Sequence, residues 1–173
     1  MPRLLFRGLR YLLLLVLSGL FAVSALADAD EPPYPTDMPL LRIVDAAGNT
    51  RETLTLEALE ALPGREVHGS IPDTHNPEAS WYGVSLARLM ATLPIPPPAR
   101  LLAVGLDDYS DVIPRQDLER YDPIVAYRRN GHYLAVDAYG PLVLMYPYAS
   151  HPELHERTYY SRTVWQLSEL RLP

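Results

Sequence analysis

The sequence predicts an α+β domain with a mixed β-sheet core and short helices. Three observations carry this expectation. Strand-like runs outnumber helical patterns along the chain. Neighbouring runs are mostly joined by hairpin-length turns, with Asn130-Gly131 the strongest of these signals. The helical patterns are short and are ended by turn residues, as at Pro63-Gly64. A doubly wound sheet would instead alternate strands and helices regularly.

The chain opens with Arg3, Arg7 and Arg10 ahead of an apolar block from Tyr11 to Val23, and Ala25 and Ala27 place small residues where a signal peptidase reads them. This predicts a signal peptide over residues 1–27, cut between Ala27 and Asp28. The product is expected to be periplasmic or secreted, with no stable membrane span after cleavage. Residues 28–39 are acidic and rich in proline, which reads as an extended leader because proline fixes the backbone and removes donors. The folded domain is expected over residues 40–173.

Within that domain, "LLRIVDAAGNTRETLTL" reads as strand, turn and strand. Thr55 is placed to cap a helix over Leu56–Leu62. Arg65–Ile71 reads as a strand, and Pro72–Ser80 as a loop dense in turn residues. In "WYGVSLARLMATL", Gly83 reads as a turn residue and Ser85 as an N-cap, and Leu86, Leu89, Met90 and Leu93 share one helix face. A stiff "PIPPPA" connector leads to a buried strand at Arg100–Leu106, a turn at Asp107–Tyr109, a short strand and a short helix. Two runs then flank Asn130-Gly131. An apolar run from Leu142 to Tyr146 stops at Pro147 and delivers a polar loop with two histidines. Thr163–Leu172 alternates as a terminal strand, with Trp165 expected on its buried face.

Charge and composition narrow the chemistry. The net charge is −6, and loss of the first 27 residues removes three arginines and no acid, leaving −9. Every basic side chain is Arg. Such a surface is a poor partner for nucleic acid or an anionic membrane, both of which require positive potential. The chain has no cysteine. That removes thiolate nucleophiles, iron–sulfur clusters and thiolate metal sites.

The remaining candidates each have a plain structural reading. His151 and His155 are four apart, the spacing of a shared metal on a helix, but Pro152 stands between them and a solvated loop is the simpler reading. His68 and His75 read as polar loop residues. Asp107, Asp108 and Asp111 cluster as turn formers. Tyr159–Arg162 combines aromatic faces with a cation, the usual anchors of an interface. Ser80, Ser85, Ser150 and Ser161 lack the setting of a serine hydrolase nucleophile.

Four pieces in order resemble one family. They are "WYGVSLARLM", "LLAVGLDDYSDVIPRQDL", "DPIVAYRRNGHYLAVDAYGPLVLMYP" and "YYSRTVWQLSELRL", spanning most of Trp81 to Leu172. Together they resemble the oxidoreductase molybdopterin-binding domain, the fold of the sulfite oxidase family. The resemblance implies a cysteine ligand to molybdenum in the region His68–Trp81, and that region has none. It also implies a lysine directly before the aromatic of the closing segment. Val164 precedes Trp165 there, and the nearest cation is Arg162.

The expectation is therefore an exported, non-catalytic molybdopterin-domain-like protein that binds a small polar ligand or a partner protein. The alternative is a periplasmic molybdopterin-dependent oxidoreductase with a non-cysteine metal environment. No cofactor and no metal ligands are expected, molybdopterin entering through the resemblance alone. By the same resemblance Thr74, His75, Trp81, Asp107, Tyr109, Tyr146, Tyr148 and Arg162 converge on one pocket, with Arg162 as its orienting cation.

Overall fold

The computed structural model describes residues 31–70 and 77–173. The expected signal peptide and its cut lie outside the described residues, as do Thr74 and His75. The compact unit runs from Pro32 to Pro173. Tyr34 is buried in its core and Met38 packs against it, so part of the Pro-rich leader belongs to the fold.

The first sheet has the strand order β2-β1-β10-β5-β6. Strands β1 (Pro39–Val44) and β2 (Thr50–Thr55) form the expected hairpin. Asp45 holds its turn, its Oδ1 accepting from the N–H groups of Ala47 and Asn49, both at 2.9 Å. Strands β5 (Arg100–Gly105) and β6 (Ser110–Pro114) form a second hairpin. Strand β10 (Leu167–Arg171) lies between the two hairpins, parallel to β1 and antiparallel to β5.

The second sheet has the order β3-β4-β7-β8, with β9 also pairing to β7. Its strands are β3 (Gly64–Gly69), β4 (Ala79–Ser85), β7 (Ile124–Arg129), β8 (His132–Tyr133) and β9 (Val143–Met145). Asn130 and Gly131 both take positive φ, 50° and 85°, as a tight hairpin turn requires. This sheet separates two clusters of core side chains. Val84, Val125, Tyr127 and Leu144 face one cluster, and Trp81, Ile124, Ala126, Val143 and Met145 face the other. Burial on both faces explains why β7 and β9 read as continuous apolar runs rather than alternating ones.

The helices are short, as expected: α1 (Leu56–Glu60), α2 (Leu86–Ala91), α3 (Arg115–Arg120) and α4 (Arg157–Arg162). Thr55 Oγ1 accepts from Ala58 N–H and Ser85 Oγ from Arg88 N–H, each at 3.1 Å, so both anticipated N-caps form. None of the described helices is long and apolar enough to cross a membrane.

Two expectations are corrected. Gly83 is not a turn residue. It lies inside β4, at a register shift opposite β7, where an added Cβ would sit 2.1 Å from the Val125 carbonyl oxygen. Close backbone approach, not a turn, demands glycine there. Trp165 is not buried. It precedes β10 and stays 37% exposed, packing edge to face on Tyr139 with ring centroids 4.8 Å apart. The irregularity expected in the closing strand is present as a register shift between Leu167 and Glu169, and Leu167 and Leu170 carry the burial.

Candidate functional site

The turn after β5, helix α4 and the segment leading into β10 form two adjoining regions of opposite character. The first is a closed cluster built on Asp117, which the short helix α3 buries. Asp117 Oδ2 accepts from Tyr146 O–H at 2.6 Å and from Arg162 Nη1 at 2.9 Å. The carboxylate and guanidinium side chains are only 5% and 19% exposed. A buried ion pair persists only when its remaining polar atoms are satisfied, and the tyrosine hydroxyl meets part of that need.

Around this pair the tyrosines are closely packed. Tyr148 donates to the Tyr159 carbonyl at 3.0 Å and shares a 2.6 Å hydrogen bond with Thr163. The Arg162 guanidinium lies 5.3 Å from the Tyr159 ring centroid. Burial pushes the Tyr146 hydroxyl far above its ordinary pKa, reinforced by the Asp117 charge. Burial raises Tyr148 as well. The Tyr121 hydroxyl is pushed up to about 12, chiefly by its hydrogen bond with Tyr159.

The second region is an open groove of about 390 Å³ lined by Asp107, Tyr109, Arg157, Tyr160, Ser161, Thr163 and Trp165. Asp107 is fixed by its turn: its Oδ1 accepts from Tyr109 N–H at 3.1 Å, and Asp108 takes a φ of 64°. Tyr109 O–H donates to the Ser161 carbonyl at 2.8 Å and so ties the turn to α4. Burial, then the charges of Asp111 and Asp107, raise the Tyr109 hydroxyl. Arg157, Tyr160 and Ser161 share one face of α4 through their three- and four-residue spacing.

The eight expected pocket residues thus divide. Asp107 and Tyr109 line the groove. Tyr146 and Tyr148 are core, at 0% and 2% exposure, and Trp81 is core too, donating its indole N–H to the Gly69 carbonyl at 2.9 Å. Arg162 is corrected from a free orienting cation to a structural one, because Asp117 takes its charge. Thr74 and His75 fall outside the described residues. Arg157, Tyr160, Ser161, Thr163 and Trp165 were missed, although "YYSR" pointed at this helix and helical spacing from Arg157 would have grouped its groove face. Asp117 had no local signal, since nothing in "RQDLER" distinguishes a buried carboxylate from an exposed one.

The histidine pair does not form a shared face. His151 and His155 flank a short 3-10 turn at Pro152–Leu154, His151 beside Glu153 at 3.5 Å and His155 against the rings of Tyr148 and Tyr160. Asp107 and Asp108 form the turn, whereas Asp111 lies in β6, its Oδ1 accepting from Val112 N–H at 2.6 Å. Among the described residues, no three His, Asp or Glu side chains gather where they could hold one metal ion.

No family model matches the sequence, and no curated protein matches it. Among solved structures, the chain is similar to the sulfane dehydrogenase SoxCD from Paracoccus pantotrophus, with a TM-score of 0.60 and 17% identity. The match covers 83% of this chain and 40% of that one, so this chain spans less than half of its length. The likeness is one of fold. The α+β architecture is molybdopterin-oxidoreductase-like, consistent with a sulfite-oxidase-like domain.

Proposed function

We propose that this chain is an exported, non-catalytic recognition module on a molybdopterin-oxidoreductase-like fold, binding a small polar ligand in the groove beside α4. One observation carries the reading. The charged and aromatic side chains at this end of the domain split into a set satisfied internally around Asp117 and a set that faces solvent along the groove. The serine and threonine hydroxyls of the groove offer no activated nucleophile, while the Tyr160 hydroxyl shares a hydrogen bond with His155 Nδ1 at 3.3 Å. Ser161 Oγ donates to the Thr158 carbonyl at 3.1 Å, and Thr163 Oγ1 is engaged by Tyr148. A nucleophile needs a base within hydrogen-bond reach. Export rests on the basic start, apolar block and Ala-x-Ala site of residues 1–27.

The residues present do not suit a molybdopterin. The chain has no thiolate for the metal. Its buried arginine beside the closing segment is committed to Asp117. Tyr146 and Tyr148, which the resemblance would place in the pocket, are buried in the core. The competing reading is an oxidoreductase with oxygen or imidazole metal ligands, and the fold likeness to a sulfane dehydrogenase is what favours it. Metal analysis of protein purified from its native host separates the two. No stoichiometric molybdenum is expected, and molybdenum retained through gel filtration overturns the proposal. On the binding side, a pool of polar metabolites should give ligand-observed NMR signals with the native protein that Tyr109→Ala abolishes. No signal with the native protein counts against the groove.

A further inference from the structure

We infer that the groove takes a small zwitterion, its ammonium group at Asp107 and its carboxylate at Arg157. This rests on the recognition reading above and names the ligand class. The lining holds one carboxylate and one guanidinium. Both are exposed, and neither forms an ion pair among the described residues. Asp107 uses Oδ1 on the Tyr109 backbone at 3.1 Å, which aims the carboxylate without neutralising it.

Three rings complete the walls. Tyr109 is 45% exposed and Trp165 37%, with Tyr160 on the neighbouring helix face. Aromatic faces attract an ammonium group and cover hydrocarbon. The rings are also held in advance, Tyr109 by its 2.8 Å bond to Ser161 and Trp165 by its edge-to-face contact with Tyr139. Side chains ordered before binding lose less freedom on binding.

One-ended ligands fit this lining less well. A simple cation meets repulsion from Arg157. A simple anion meets Asp107 with Asp108 and Asp111 beside it, in a chain of net charge −6. The hydroxyls of Ser161 and Thr163 are engaged within the protein, so charge recognition falls on the two ionic ends. The groove's volume of about 390 Å³ lies in the range of small-molecule sites.

The test uses three probes with one ring and different charges: L-phenylalanine, phenethylamine and 3-phenylpropionate. Calorimetric titration of the purified protein should give L-phenylalanine a Kd at least about tenfold below either one-ended probe, as expected for one added charge-assisted contact. Asp107→Asn keeps the turn acceptor and should reduce L-phenylalanine to the level of 3-phenylpropionate. Arg157→Gln should reduce it to the level of phenethylamine. Circular dichroism confirms that both variants fold. If phenethylamine or 3-phenylpropionate equals L-phenylalanine, the zwitterion assignment is overturned and the groove reading stands. If none of the three binds, the assignment is likewise overturned, and the metabolite-pool experiment alone decides the groove.

Discussion

The Asp117 cluster and the Asp107 groove are neighbours made from the same side-chain types. Each has an aspartate, an arginine and several tyrosines. In the cluster, the carboxylate, guanidinium and hydroxyl satisfy one another in a buried setting. In the groove, the two charges face solvent and the rings stand partly bare. The difference teaches that residue type does not separate structure from recognition. What separates them is whether each polar group has its partner inside the chain.

That contrast can be broken or sharpened by experiment. The largest effect is expected in alkali. Tyr34 and Tyr121 are each raised to about 12, and Tyr127, Tyr146 and Tyr148 are raised chiefly by burial. An unfolded tyrosine ionises near its ordinary value of 10.0. The stability these neutral hydroxyls contribute is therefore whole below about pH 10 and lost as pH rises through the folded-state values. Absorbance titration should show these tyrosines ionising only as the near-ultraviolet dichroism collapses. Independent ionisation of Tyr146 or Tyr148 in a folded protein would break the picture of a closed cluster.

Asp117→Ala comes next. It strands a buried guanidinium and the Tyr146 hydroxyl, and should cost about 3–5 kcal/mol in urea denaturation. Arg162→Ala should behave similarly, because it strands the carboxylate. A near-native midpoint for both would place Arg162 back among the free cations. Tyr146→Phe removes only the hydrogen bond to a charged acceptor, and about 1.5–3 kcal/mol is expected. Trp165→Ala is the smallest. The ring is partly exposed and rests on Tyr139, so about 1 kcal/mol is expected from the edge-to-face contact. A loss several times larger would mean that the groove wall belongs to the core.

Much of the fold was legible because its signals are local. Asn130-Gly131 dictates a tight turn, and the caps at Thr55 and Ser85 need only their own first helical turn. Gly83 was misread because its cause is a backbone approach from β7, distant in sequence. Trp165 was misread because alternation cannot tell the first strand residue from the last loop residue before it. The groove was half legible. Asp107 and Tyr109 sit on a turn that the sequence announces, whereas Arg162 was misassigned because its partner Asp117 lies 45 positions away. Pairings across the fold decide which charges remain available, and a linear reading cannot see them.

Strand β10 sits in the interior of its sheet, between two hairpins that each close locally. During synthesis both hairpins are made well before residues 167–171. Until then β1 and β5 each carry an open inner edge, and their apolar faces lack the strand that joins them. Long-range pairings of this kind form late and slowly. The nascent chain is thereby kept from completing its first sheet until residues 167–171 have been made. A protein that must be threaded extended through a membrane pore, as the export reading requires, gains from a delay written into its strand order.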